Sequence, residues 1–203
     1  RIGPKRVIWR YDPILFSQSM DVRYHLHGFE AIAKRLASHT QTCVISFVDL
    51  YQKTRRNLRA TTVREPSADE ITRLAAGLAS IASSYGIRIQ SCAERIDLEP
   101  MGIRHGRCID RMLIEELQGA RLNVARDRNQ RPECGCVQSV DIGVYDTCSH
   151  GCLYCYANTD TKTVCRNRGL HDLSSPLLIG RMEEGDVVKE RAIRSFKVSD
   201  ALF

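Results

Sequence analysis

The sequence predicts an α/β protein whose parallel βαβ units form part of a (β/α) barrel. Short β-rich apolar segments alternate with longer segments whose apolar residues recur at helical spacing. The connections are also long enough to hold crossover helices, which parallel strands require. With 203 residues, of which 43% are hydrophobic, the chain can bury one core. We therefore expect one domain, with the partial barrel over residues 1–158, a cysteine loop at 148–155 and a C-terminal extension over 159–203.

Four segments rich in β-branched and apolar residues predict the strands. In chain order they cover residues 6–14, 42–49, 87–92 and 139–145. The residues before the first strand resemble the end of a helix, with Gly3 just beyond it. We therefore expect an N-terminally truncated fragment.

Three segments between these strands predict helices. Apolar residues at helical spacing cover residues 26–36 and 71–82. Ser67 and Glu70 form a capping box before the second of these, and Gly86 ends it. A third helix is expected over residues 108–117, with Gly119 just beyond it. After Asn158 the pattern decays, which predicts a tail that either folds over the cysteine loop or is mobile.

Polar side chains and thiols follow each predicted strand. Because the carboxyl ends of parallel strands meet at one rim, where α/β folds place their chemistry, we expect these groups to converge. Each carboxylate by itself is equally well explained as a helix N-cap or a salt-bridge partner. The agreement of four strand ends favours a functional rim. The residues predicted to be catalytic are Arg10 and Asp12 after the first strand, Asp49 after the second and Glu94 after the third.

Cys148, Cys152 and Cys155 form a C-x3-C-x2-C triplet on a short loop after the fourth predicted strand. Thiolates are soft ligands that select zinc or iron–sulfur clusters. Three protein ligands leave one metal position open, which a reactive site needs and a structural site avoids. The alternative is unrelated buried cysteines, or a disulfide with a spare thiol. An odd total of nine cysteines and a cytoplasmic setting favour a metal site.

Four further cysteines predict a second metal site. Cys134 and Cys136 form a C-x-C pair, Cys92 ends the third strand, and Cys108 opens a helix. Together they supply four thiolates to zinc or to an iron–sulfur cluster. The rival interpretation is that they are ordinary buried thiols, since free cysteine packs like a small apolar residue. Cys43 lies mid-strand and is expected in the core.

Charge and hydropathy restrict the partners. The net charge is +6, and its densest patch, residues 53–64, holds five cations and no acidic residue. Such a patch can bind phosphate, but no aromatic residue interleaves with the charges to stack on bases. A solvated loop is therefore favoured over a nucleic-acid partner. No apolar run is long enough to span a membrane, so we expect a cytoplasmic protein with no membrane partner.

The triplet, with Tyr154 directly before its last cysteine, resembles the cluster motif of radical S-adenosylmethionine enzymes. In that superfamily three cysteines hold a 4Fe–4S cluster, and S-adenosylmethionine occupies the remaining iron. The resemblance implies that Cys148, Cys152 and Cys155 bind the cluster and that Tyr154 lies near the adenine. It also implies a reductant such as flavodoxin or ferredoxin and a small-molecule or otherwise unknown substrate. In those enzymes the motif follows the first barrel strand; here it follows the last, as in a circularly permuted barrel.

Most of the chain is also similar to a bacterial family of unknown function whose C-terminal cysteine cluster resembles the same motif. The similarity rests on residues 7–14, 92–94, 108–110, 134–136 and 141–158. Members of that family are longer at the N-terminus, which agrees with a fragment.

Two functions agree with these patterns. The first is an enzyme in which the reduced cluster cleaves S-adenosylmethionine and the resulting radical attacks a substrate on the rim. The second is a non-catalytic zinc or iron–sulfur module, in which His150 or Cys165 would complete a set of four ligands. The enzyme is favoured, because the motif leaves one metal position open.

Overall fold

A computed structural model describes residues 2–198, and these fall into two compact units. Unit 1 comprises the described residues up to Val48, Thr61–Ser139 and those from Phe196 onward. Unit 2 comprises Asp49–Ala60 and Val140–Ser195. The predicted division at residue 158 stays a prediction.

Unit 1 contains a four-stranded parallel sheet. The strands are β1 (Ile8–Ile14), β2 (Thr42–Phe47), β3 (Arg88–Ser91) and β4 (Arg104–His105), in the order β1-β2-β3-β4. Every neighbouring pair is parallel. The first three strands match three predicted segments. The prediction of a mixed α/β fold with parallel βα units is confirmed.

Five α-helices lie among the described residues: α1 (Val22–Leu36), α2 (Gln52–Leu58), α3 (Ala68–Ser84), α4 (Arg111–Gln118) and α5 (Thr161–Gly169). The predicted capping box of α3 is present, because Ser67 and Glu70 bond reciprocally to each other's backbone N–H. Gly86 and Gly119 take φ values of 66° and 63° beyond α3 and α4, which glycine adopts without strain. The helix α4 begins later than predicted, because Asp110 caps it by accepting a hydrogen bond from the Met112 N–H.

The core of unit 1 lies on one face of the sheet. Trp9, Cys43 and Ile89 are aligned across β1, β2 and β3 and share one buried cluster with Phe29 of α1 and Leu78 of α3. Cys43 is fully buried, as predicted. Burial on this scale is the main source of stability in a domain of this kind.

Three of the four side chains aligned on the opposite face of the sheet are polar, and the fourth is the buried Val44. Arg10, Val44, Gln90 and Arg104 are aligned in the next row of the register. Successive side chains of a strand point to opposite faces, so this row faces away from α1 and α3. Unit 1 is therefore a sheet with helices packed on one face and arginine and glutamine side chains on the other.

The predicted fourth strand, at residues 139–145, is wrong. These residues form no strand in the structure, and the fourth place in the sheet is taken by β4. The apolar residues of the segment, Val140, Ile142 and Val144, are exposed. Alternating apolar residues make a strand only when a neighbouring strand supplies the hydrogen bonds. The cysteine triplet consequently follows an irregular segment.

Unit 2 consists of α2, α5 and the loops around them. Among its described residues only Thr54, Leu58 and Val164 are buried. The helix α5 falls in the stretch whose pattern was expected to decay. It starts at Asp160, whose carboxylate accepts hydrogen bonds of 2.9 Å from both the N–H and the hydroxyl of Thr163. None of the described helices is long and apolar enough to cross a lipid bilayer.

Candidate metal centres

The three cysteines of the triplet line one cavity in unit 2. Its volume is about 460 Å³, and Cys148, Cys152 and Cys155 all contribute to its wall. Cys148 and Cys152 are exposed, Cys155 is half-buried, and all three are free thiols. Solvent and small ligands therefore have access to this side of the loop.

Asp146 closes the base of the cysteine loop. Its N–H donates to the Ala157 carbonyl at 3.0 Å, and its carboxylate accepts hydrogen bonds from the N–H and the hydroxyl of Thr159. Asp146 has a φ of 58°, in the left-handed region that aspartate tolerates better than most residues. The two ends of the loop are thus fixed to each other, and the triplet lies between them.

Asn158 connects the loop to the cavity wall. Its side-chain amide donates to the Cys148 carbonyl at 2.6 Å. Its Oδ1 atom is buried and has no hydrogen-bond partner among the described residues. A buried acceptor without a donor is destabilising, so a ligand that brings an N–H or O–H group to this point would satisfy it.

The two candidates for a fourth metal ligand, His150 and Cys165, differ in whether they line this cavity. Cys165 of α5 lines the same cavity, whereas His150 and Tyr154 are not among its lining residues. Tyr154 lies on the loop between Cys152 and Cys155 and is 37% exposed. From α2, the Asn57 side chain donates to the Leu153 carbonyl at 3.2 Å.

The structure also brings Cys92, Cys108, Cys134 and Cys136 together in unit 1. The sulfurs of Cys92 and Cys108 are 3.0 Å apart, and Cys136 Sγ accepts a hydrogen bond of 3.3 Å from the Ile109 N–H. Cys134 and Cys136 are buried and pack with Ala93, Cys92 and Ile109. Two of these cysteines follow β3 and β4, and the other two lie almost thirty residues further on.

Cys92 and Cys108 shift each other's pKa, and Arg10 adds to the shift of Cys108. The Cys108 sulfur is in hydrogen-bonding contact with the Cys92 sulfur, and it accepts a hydrogen bond of 3.1 Å from Arg10 Nη1. Both contacts lower the pKa of Cys108. The pKa of Cys92 is raised, first by its contact with Cys108 and then by burial. Burial lowers the pKa of Arg10, but its bonds to Asp12 and Cys108 outweigh this effect and the pKa is raised. Of the two sulfurs, Cys108 is the one whose pKa is lowered.

The loop that holds Cys134 and Cys136 is organised by Arg126. Asp127 N–H donates to the Cys136 carbonyl at 3.0 Å, and Gln138 N–H donates to the Ala125 carbonyl at 2.9 Å, so the segment returns on itself. Arg126 fills the bend: its Nε donates to the Cys134 carbonyl at 2.9 Å, and its Nη2 to the Pro132 carbonyl. The C-x-C pair is thus presented by an ordered hairpin.

No group of three or more His, Cys, Asp or Glu side chains among residues 2–198 is arranged, as it stands, to hold a metal ion. In the second cluster, one sulfur–sulfur distance can be compared with that of a bound metal. The 3.0 Å between Cys92 and Cys108 sulfurs is longer than a disulfide bond of about 2.05 Å. It is shorter than the roughly 3.8 Å that two thiolates on one zinc require, given Zn–S bonds of about 2.3 Å. Metal binding at either group of cysteines stays a prediction.

The residues predicted to be catalytic occupy different places. Arg10 and Asp12 form an ion pair at 2.5 Å beside Cys108. Glu94 lies two residues after Cys92 in sequence, and its carboxylate accepts a hydrogen bond of 2.8 Å from the Phe47 N–H at the end of β2. Ala93, between Cys92 and Glu94, has a φ of 50°, a strained conformation of the kind found at functional sites. Asp49 belongs to unit 2, where it accepts a hydrogen bond of 3.2 Å from the Tyr51 hydroxyl.

Sequence reasoning missed Asp146, Asn158 and Arg126. None of them forms part of a recognisable spacing of metal ligands. Each instead makes hydrogen bonds that hold the backbone of a loop. The one available signal was the flanking of the triplet by Asp146 and Asn158 at its two ends.

Fold and site together define a class: an α/β protein with a parallel sheet and two groups of free cysteines. The chain belongs to the family described as Domain of unknown function (DUF1848), whose family model matches residues 1–157. No curated protein and no solved structure matches it significantly. The family match covers the sheet, the second cysteine cluster and the triplet.

Proposed function

We propose that this chain is an iron–sulfur protein of the radical S-adenosylmethionine type. Cys148, Cys152 and Cys155 would hold a 4Fe–4S cluster, and S-adenosylmethionine would take the open iron. The observation that carries the proposal is the shared cavity of about 460 Å³ that all three cysteines line. A cavity beside the thiols leaves room for a ligand on the side of the metal that the protein does not coordinate.

Two features of the cavity fit the bound groups. Cys148 and Cys152 are exposed, as a site that exchanges a cofactor requires. The buried Asn158 Oδ1, which has no partner among the described residues, would accept a hydrogen bond from the amine of S-adenosylmethionine. When bound, the reduced cluster supplies the electron that splits S-adenosylmethionine into methionine and a 5′-deoxyadenosyl radical. Tyr154 is proposed to contact the adenine, and a flavodoxin or ferredoxin to supply the electron.

The sheet supports the finer fold proposal, a partial (β/α) barrel. A barrel requires strands in sequential parallel order with all helices on one face, because right-handed crossovers between sequential strands place them there. The order β1-β2-β3-β4 and the packing of α1 and α3 on the same face agree with this arrangement. Arg10 and Gln90 would then face the barrel interior, and Arg10, Asp12, Asp49 and Glu94 are proposed as substrate-contacting residues.

We assign the second cysteine cluster a structural metal, either zinc or iron–sulfur. Four thiols that come from widely separated parts of unit 1 meet there, and two of them are buried. The Ile109 N–H and Arg10 donate to Cys136 and Cys108 sulfurs, which stabilises thiolates as outer-shell partners do at metal sites. Binding requires Cys92 and Cys108 to separate by somewhat less than about 1 Å.

The alternative, a non-catalytic metal module, is favoured by one specific observation. Cys165 lines the same cavity as the triplet and is a candidate fourth sulfur ligand. A fourth protein ligand would close the metal site and prevent S-adenosylmethionine from binding.

The experiment is anaerobic purification of the full-length protein, with iron, sulfide and zinc analysis, followed by assay of S-adenosylmethionine cleavage to 5′-deoxyadenosine and methionine. Cys152→Ala is expected to abolish both the triplet's cluster and the cleavage. Cys165→Ala is the matched control, because it removes a thiol from the same wall. It should retain the cluster and the cleavage if three ligands suffice.

Three results would contradict the enzyme. A reducible cluster that never cleaves S-adenosylmethionine, or loss of metal in Cys165→Ala, would support the metal module. Colourless protein that holds only zinc would do so more strongly. For the second cluster, Cys134→Ala combined with Cys136→Ala should lower the amount of bound metal while the triplet keeps its own. Unchanged metal content would support the interpretation of these residues as ordinary buried thiols.

A further inference from the structure

A second cavity of unit 2 is lined mainly by cations. It measures about 660 Å³ and is lined by Gln52, Lys53, Arg55, Arg56, Arg59, Tyr156 and Thr159. None of these residues is acidic. Four of them are positively charged and belong to α2 or, in the case of Arg59, directly follow it. Tyr156 comes from the cysteine loop.

Three of the cations have no carboxylate partner among the described residues. Lys53, Arg56 and Arg59 take part in no salt bridge there, whereas the arginines of α3 and its approach are paired, as in Arg64–Glu70 and Arg73–Asp69. Their spacing of three residues places them on one side of α2, opposite the buried Thr54 and Leu58. Like charges on one side of a helix repel one another, so an anion would relieve this repulsion.

The aromatic group that is absent from the basic stretch in sequence is supplied by Tyr156. Its ring is 71% exposed and packs edge-on against Tyr145 at 6.4 Å between centroids. The neighbouring Ala157 accepts the hydrogen bond from Asp146 that closes the loop. An exposed ring on an anchored loop, beside a row of cations, is the arrangement that binds bases and phosphates together.

We propose that this cavity binds single-stranded nucleic acid, with Lys53, Arg56 and Arg59 on successive phosphates and a base stacked on Tyr156. Arg59 lies six positions after Lys53, roughly 9 Å further along a helix, so the three cations can contact more than one phosphate. A single strand is favoured over a duplex because a paired base offers no free face to the ring. No cysteine lines this cavity, although Thr159 contributes to its wall and to that of the cavity beside the triplet.

The test measures fluorescence anisotropy of labelled twelve-nucleotide DNA and RNA single strands on the full chain, purified anaerobically, over a range of salt concentrations. Arg56→Ala combined with Arg59→Ala should weaken binding at least tenfold and reduce the slope of log K against log salt by about 0.7 per lost phosphate contact. Arg56→Lys with Arg59→Lys keeps the charge and should retain most of the affinity. The charge-matched control, Arg23→Ala with Arg73→Ala, should leave the affinity within twofold.

Tyr156 tests the stacking. Tyr156→Ala should weaken binding about tenfold at every salt concentration, and Tyr156→Phe should bind like the unmodified chain. The proposal is overturned if the alanine and the lysine double variants at Arg56 and Arg59 lose equal affinity, or if Tyr156→Ala binds normally. It is also overturned if a duplex of the same length, or pyrophosphate in competition, binds as tightly as the single strand. Circular dichroism checks that each variant is folded.

Discussion

The two units differ most in what stabilises them. Unit 1 has a continuous apolar cluster that runs from Trp9 in β1 to Ile103 before β4. Unit 2 has only Thr54, Leu58 and Val164 buried among its described residues, and its loops are fixed by polar contacts such as those of Asp146 and Asn158. A segment with so little buried apolar surface lacks the usual source of folding free energy. A metal bound by the triplet would supply a cross-link in its place.

The two groups of cysteines differ in the same sense. Cys134 and Cys136 are 8% and 6% exposed, in a hairpin of unit 1, whereas Cys108 of the same group is exposed. Cys148 and Cys152 are exposed beside an accessible cavity. Structural metal sites are closed and reactive ones keep an open position. By burial, the Cys134 and Cys136 pair resembles a closed structural site and the triplet an open reactive site. The cysteine spacings alone do not provide this distinction.

Metal removal should produce the largest effect, and the effect should be greater in unit 2 than in unit 1. After iron is removed with a chelator, limited proteolysis should cut residues 140–195 at least tenfold faster, because the cross-link that replaces a core is lost. The fragments, identified by mass spectrometry, should show much slower cutting within residues 61–139, because the apolar cluster of unit 1 remains when the metal is lost. Equal proteolysis before and after metal removal would show that unit 2 is stable by itself.

A core substitution should affect unit 1 more than a comparable change in unit 2. Leu78 is fully buried, and Leu78→Ala should lower the free energy of unfolding by about 2–5 kcal/mol. Trp9 is the single tryptophan of the chain and lies in this core, so its fluorescence follows unit 1. Val164→Ala, which removes buried apolar surface from unit 2, should leave the Trp9 transition in place. A shift of that transition by Val164→Ala would show that the two units unfold together.

A smaller effect is expected from acid, and only in unit 1. His25 is 5% exposed, and burial holds its pKa below the ordinary 6.5. Its ring nitrogens lie 3.0 Å from the Tyr11 hydroxyl and 2.9 Å from the Leu15 carbonyl, contacts that suit a neutral ring. Above pH 6.5 both folded and unfolded chains carry the neutral ring. As the pH falls below that value the unfolded chain binds the proton first, so unit 1 loses stability, by about 1.4 kcal/mol for each unit of pKa lowering.

The measurement is urea unfolding followed by Trp9 fluorescence between pH 7.5 and 5. His25→Gln should flatten the pH dependence, and His27→Gln, an exposed neighbour on the same helix, should leave it unchanged. If both variants behave alike, a group other than His25 causes the acid sensitivity.

Local signals in the sequence were sufficient for most of unit 1. The capping box of Ser67 and Glu70, the apolar spacing of α3 and the β-rich segments around Trp9, Cys43 and Ile89 each act through neighbouring residues or a single period. Such signals do not depend on distant parts of the chain. They predicted three strands, two long helices and the parallel class of fold.

Tertiary structure decided what depends on partners remote in sequence. The alternating Val140, Ile142 and Val144 look like a strand, but strand identity requires a neighbour, and the two-residue β4 has that place in the sheet. The helix α5 carries few apolar residues, and its start rests on the capping by Asp160. The spacing of the triplet indicated a chelate from sequence alone. The sequence also predicted that Cys92, Cys108, Cys134 and Cys136 share one site. The meeting of Tyr156 with the cations of α2 became visible only in three dimensions, because no sequence spacing relates residues that folding brings together.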